Sequence, residues 1–118
     1  MFRFTNLEIF NEAKRLHIEI VKSTKRFNSD FRYLKDQVRR FSLSVALNIA
    51  EGSGKSSKKE FKRYLENSLG SLNETAASLI IATSLGLLSK NRCGKLYKDY
   101  ETLRNRIGAL SRKLKSES

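Results

Sequence analysis

Apolar residues recur at intervals of three and four along most of this chain, the period of an amphipathic helix. One stripe runs Leu34, Val38, Phe41, Val45 and Ile49, and another runs Phe61, Leu65, Leu69, Leu72, Ala76 and Leu79. Ahead of them lie Leu7, Phe10, Ala13, Leu16 and Ile20, and behind them Leu96, Tyr100, Leu103, Ile107, Leu110 and Leu114. Turn chemistry separates the four patterns at Asn28-Ser29-Asp30, at Gly52-Ser53-Gly54 and between Leu87 and Gly94. Thr5 or Asn6 suits the first N-cap and Asp30 the second. Ser57 with Glu60 fits a capping box for the third helix, and Gly86 suits its C-terminal stop. The spacing predicts helices over 6–27, 31–51, 58–85 and 95–115. With short loops and no proline, these imply a single all-α domain, an antiparallel up-down-up-down four-helix bundle over 1–118.

The polar positions are patterned as well. Gln37, Arg40, Ser44, Asn48 and Glu51 form a stripe beside the apolar one on the second helix. Arg63, Asn67, Gly70, Glu74 and Ser78 do the same on the third. A solvated face is usually filled loosely with Lys and Glu opposite the core. Hydrogen-bonding groups bordering the core imply a specific packed contact. Gln37, Arg39, Arg40, Ser44, Asn48, Glu51 and Glu74 are therefore expected to act structurally, an arginine fork holding a carboxylate and fixing register. Glu51 and Glu74 are not read as an acid–base pair.

Charge adds a partner class. The chain of 118 residues has 24 Lys and Arg against 12 Asp and Glu, a net charge of +12. Such an excess favours a polyanion, nucleic acid ahead of an anionic membrane. Lys55, Lys58, Lys59, Lys62 and Arg63 form the densest group, and Arg104, Arg106, Arg112, Lys113 and Lys115 a second. Tyr64, Tyr97 and Tyr100 lie near them, Tyr100 at a core position.

Candidate chemistry narrows the picture further. One cysteine, Cys93, and one histidine, His17, leave no disulfide framework, no multi-ligand metal site and no nucleophile–base arrangement. No metal or cofactor is implied. Gly54-Lys55-Ser56 resembles part of a phosphate loop, but Ile49 stands where that motif needs its first glycine and no strand precedes it. The free amides that open the third helix remain a candidate phosphate contact. No apolar run reaches the roughly 18 residues of a membrane span, and the N-terminus lacks a signal-peptide core, so a cytoplasmic setting is expected.

Gln37-Val38-Arg39-Arg40, Ser44, Asn48-Ile49-Ala50-Glu51-Gly52, Glu60-Phe61, Leu65, Gly70-Ser71-Leu72 and Glu74, in this order and spacing, resemble the proteins encoded in intervening sequences of bacterial 23S ribosomal RNA genes. The likeness covers about fifty residues, and Phe2 to Phe27 is similar to the family's first helix. The family's usual proline in the second helix is Ala46 here, which predicts a straighter helix. The resemblance implies an antiparallel bundle assembling as a ring-shaped homopentamer. The accessory variability protein of diversity-generating retroelements is similar in fold and charge, and it binds nucleic acid and a reverse transcriptase. These features together predict a non-enzymatic, oligomeric binding protein for RNA or RNA–DNA. It would make sequence-tolerant phosphate contacts, and a reverse transcriptase is a further candidate partner. The alternative is a protein-interaction scaffold without nucleic-acid contact.

Overall fold

A computed structural model describes residues 2–117, with side chains described through residue 114. The described residues form four helices, α1 (Glu8–Thr24), α2 (Arg32–Ser53), α3 (Lys58–Ser84) and α4 (Lys90–Glu117), with short 3₁₀ turns at Arg3–Asn6 and Ser29–Phe31. Among the described residues there is no strand. Each helix packs on the next in sequence and α4 returns to α1, closing a bundle that measures 46 × 23 × 20 Å. The α2–α3 contact is the most extensive.

The caps explain the boundaries. Asn28, ahead of the expected Asp30, accepts the Asp30 amide at 3.0 Å. It opens the 3₁₀ turn that leads into α2. The Ser57 hydroxyl accepts the Glu60 amide at 3.1 Å and caps α3. Glu60 reaches Arg63, so half of the capping box forms. Gly86 has φ +78°, and the bonds Leu87 N to Ala82 O and Gly86 N to Thr83 O make a Schellman stop for α3. Two expectations change. Thr5 and Asn6 lie in the first 3₁₀ turn, and α1 begins after Leu7 with no side-chain cap. Helix α4 begins at Lys90, five residues before the expected Lys95. Ser89 caps it by accepting the Arg92 amide at 3.0 Å, and Gly94 is taken up inside the helix.

The apolar stripes meet in one core. Leu16, Ile20, Val45, Ile49, Leu65, Leu103 and Ile107 are fully buried in it. Small hydroxyl residues share that interior. Ser68, fully buried, donates to the Val45 carbonyl of α2 at 2.8 Å. Thr75 and Ser78 donate to the carbonyls four residues back in their own helix. Phe41 is half-buried and Ser42 takes the core position beside it. Near the end of α2, Gly52 lies so close to α3 that a Cβ there would stand 2.7 Å from Tyr64 Cβ. Small residues thus draw α2 onto α3. Helix α2 runs through Ala46 without interruption.

Candidate nucleic-acid interface

The turn after α2 brings Lys55, Ser56 and Ser57 to the start of α3, where the first helical amides lack intrahelical acceptors. The last turns of α4 and the N-terminal 3₁₀ turn close around this point. A hollow of about 380 Å³ results, lined by Arg3, Lys55, Ser56, Ser57, Lys58, Phe61, Leu110, Lys113 and Leu114. Among the described residues four cations and no carboxylate line it. Its floor is apolar, and its cations come from three separate stretches of chain.

Aromatic faces hold two of these cations. The Arg3 guanidinium sits 5.3 Å from the Phe61 ring centre, and one of its nitrogens donates to the Ser53 carbonyl at 3.4 Å. The Lys55 ammonium sits 5.3 Å from the Tyr64 ring centre. A cation over a ring keeps its full charge, whereas an ion pair cancels it. Among the described residues neither Arg3 nor Lys55 forms an ion pair. Lys58 and Lys113 have interactions of their own.

The other basic residues expected at the interface are distributed differently. Lys62 pairs with Glu66, Arg63 with Glu60 at 3.0 Å, and Arg104 more loosely with Glu101 at 4.0 Å. Arg63 lowers the Glu60 carboxyl below its ordinary range, mainly through their hydrogen bond, with smaller effects from Lys55 and Lys59. Arg63 also lies 4.6 Å from the Tyr64 ring, so that ring carries two cations rather than an open stacking face. Lys59, Arg106 and Arg112 are exposed and stand outside the hollow's lining. The side chain of Lys115 lies outside the described residues. The structure therefore joins part of one basic group, Lys55 and Lys58, with one member of the other, Lys113. It adds Arg3, which periodicity does not flag. The aromatic residues on either side of it, Phe2 and Phe4, were its one local signal.

The polar stripes have their own geometry. Arg39 donates to Thr24 Oγ1 at 2.9 Å and to the Val21 carbonyl at 3.1 Å, serving the last turn of α1 rather than a carboxylate. Ser44 bonds Ser71 across α2 and α3 at 2.8 Å, and Asn48 donates to the Ser44 carbonyl and hydroxyl. Gln37, Arg40, Glu51 and Glu74 are exposed, and no ion pair joins the arginines to these acids among the described residues. The interhelical ion pairs lie elsewhere, between α1 and α4. Arg15 holds Glu12 and Asp99, and Arg92 holds Glu19 and the Ser23 hydroxyl. The Arg92 hydrogen bond is the main cause that lowers the Glu19 carboxyl.

His17 is half-buried on Ser42, Nδ1 to Oγ 2.7 Å, and Ser42 is fully buried and donates to the Arg39 carbonyl. Burial, then the Arg39 charge, lowers the imidazole below its ordinary value. The Tyr100 hydroxyl is buried without a hydrogen-bond partner, and burial raises it.

The family model for the 23S rRNA-intervening sequence protein matches residues 5–109. The chain belongs to this family. Comparison with curated protein sequences finds no match. The stretch matched by the 23S rRNA-intervening sequence protein family includes Lys55, Lys58 and Phe61 of the hollow. Arg3, Leu110, Lys113 and Leu114 flank it, so both ends of the chain complete a feature begun inside the family pattern. No described helix is long and apolar enough to cross a membrane.

Proposed function

We propose that this protein is a non-enzymatic RNA-binding protein that holds the phosphate backbone by charge. The observation that carries the reading is the hollow at the start of α3, whose described lining brings Arg3, Lys55, Lys58 and Lys113 together, with Arg3 and Lys55 held over aromatic rings rather than in ion pairs. The net charge of +12 supplies the long-range attraction, and the family's link to ribosomal RNA favours RNA over other polyanions. Binding by phosphate neutralisation releases counterions, so log K falls linearly with log salt, with a slope of about −0.7 per phosphate contact on single strands.

The bundle is proposed to run up-down-up-down and to assemble as a homopentamer, which multiplies the charge presented to one RNA. Leu43, Leu47, Ile80 and Ile81, each about half exposed on α2 and α3, favour self-association through those helices. Arg40, Glu51 and Glu74, exposed in the single chain, are proposed to act in that contact. Light scattering coupled to size exclusion, with and without a structured RNA at two salt concentrations, tests both readings. An oligomer that takes up RNA at low salt and releases it at high salt is the expected result. A stable oligomer that ignores RNA at both salts would favour a protein scaffold. A monomer would remove the assembly.

A further inference from the structure

We propose that the ring of Phe2 is a stacking platform for an unpaired RNA base, whose flanking phosphates rest on Arg3 and Lys55. This inference rests on the RNA-binding reading and deepens it, because it adds a contact to the base and names single-stranded RNA as the ligand.

The ring is open and it is held. Phe2 is 74% exposed, more than any other large hydrophobic residue among those described. It stacks on Phe4, with ring centres 5.7 Å apart and planes 29° from parallel. Phe4 in turn meets Phe10 of α1 edge-on at 4.7 Å, and Phe10 packs against the core. A row of three rings thus ties the exposed one to the bundle, so little order is lost when a base settles on it. The neighbouring rings are already in use. Arg3 lies over Phe61, and Lys55 and Arg63 share Tyr64. Phe2 is the ring beside these cations over which, among the described residues, no cation lies.

The surroundings of the ring divide in the way a nucleotide does. A second hollow, of about 340 Å³, adjoins the first and shares Arg3 and Lys55 with it, and Phe2, Phe4 and Glu51 also line it. Arg3 and Lys55 are positioned by ring faces and form no ion pair among the described residues, so both keep their charge for phosphate. Glu51 works against a bare phosphate or a polyanion without bases. A nucleotide places an uncharged base at the ring and its phosphates at the cations. Every base has a face that can stack on an aromatic ring, so the contact is sequence-tolerant, in keeping with phosphate binding. Within a duplex those faces are covered by neighbouring base pairs, and a surface ring selects the unpaired strand.

The chain has no tryptophan, so Phe2→Trp places a single fluorescent indole at the site. Three ligands of one length are titrated into it at low salt: single-stranded oligoadenylate, an abasic strand with the same phosphates, and an RNA duplex. Oligoadenylate is expected to quench the indole, and the abasic strand and the duplex to bind without quenching. By anisotropy, Phe2→Ala should weaken oligoadenylate about tenfold and leave the abasic strand unchanged. Phe2→Tyr should restore the loss. Tyr33→Ala, which removes an exposed ring at the other end of α2, should change nothing. The Phe2 side chain is mostly in solvent, so its variants should melt as the parent does. Equal binding of oligoadenylate and the abasic strand, without quenching, would overturn the stacking site and leave phosphate binding standing. A preference for bases that survives in Phe2→Ala, or is lost equally in Tyr33→Ala, would also overturn it. An indole emission that shifts with protein concentration before any RNA is added would assign the ring to a contact between copies instead. Failure of every RNA to bind at low salt would remove the RNA-binding reading, and this inference with it.

Discussion

Replacing Gly52 with alanine tests the close approach of α2 to α3. A Cβ at this position would stand 2.7 Å from Tyr64 Cβ and 3.0 Å from Phe61 Cδ1, against the 3.4 Å at which ordinary contact begins. Tyr64 Cβ is fixed to the α3 backbone, so no rotamer change relieves the overlap and the two helices must part. Overpacking costs about 1–3 kcal/mol, and an overlap anchored in both backbones belongs to the upper part of that range, about 2–3 kcal/mol. Alanine also improves helix propensity over glycine by about 0.8–1 kcal/mol, which offsets part of the loss. The net expectation is a destabilisation of about 1–2 kcal/mol. At about 2.1 cal/mol/K per residue, unfolding the 118 residues carries an entropy of about 0.25 kcal/mol/K. Tm should therefore fall by about 4–8 °C. Gly94→Ala is the control. It is also helical, but a Cβ there meets nothing within 4 Å, so propensity acts alone and Tm should rise by about 2–4 °C. Both are read by thermal melting at one fixed protein concentration, because assembly makes Tm depend on concentration. A Gly52→Ala protein that melts at or above the parent would refute the close approach of α2 and α3.

Further outcomes follow from polar groups at helix contacts. His17 has an imidazole pKa lowered by burial and by Arg39, so the unfolded chain takes up a proton first as pH falls below about 6.5. Stability should then decline through that window and level off below the folded pKa, and His17→Asn should abolish this component of the pH profile in denaturant melts. Arg39→Ala removes two hydrogen bonds to the last turn of α1 and should cost about 1–2 kcal/mol in urea unfolding, with no loss marking the contact as idle. Tyr100→Phe removes a buried hydroxyl with no partner, so Tm should stay level or rise, and a drop of several degrees would reveal a hidden bond. Because burial raises the Tyr100 pKa, the unfolded state loses that proton first above about pH 10. The parent should lose stability there faster than Tyr100→Phe.

The four apolar helix faces, the caps at both ends of α3, the basic charge and the family are legible in the chain alone. Each of these is local or additive: an apolar stripe at Leu34, Val38, Val45 and Ile49 specifies a helix face whatever the neighbours do, and charge is a sum. Ser57 and Gly86 mark a start and a stop because their hydrogen bonds reach residues three to five positions away. Gly94 reads as a breaker, but the Ser89 cap five residues earlier sets the start of α4. Which charges meet depends on how the helices pack. Arg39 and Arg40 are neighbours in sequence, yet one reaches the end of α1 and the other faces outward, since successive helical positions point about 100° apart. Ser42 and Ser68 look like surface residues by type, but the approach of α2 to α3 buries Ser68 on the Val45 carbonyl, and that of α1 to α2 sets Ser42 against His17. Arg3 and Lys113 lie at opposite ends of the chain, and no periodicity relates them. They share one hollow because the end of α4 and the first turn of the chain close over the start of α3.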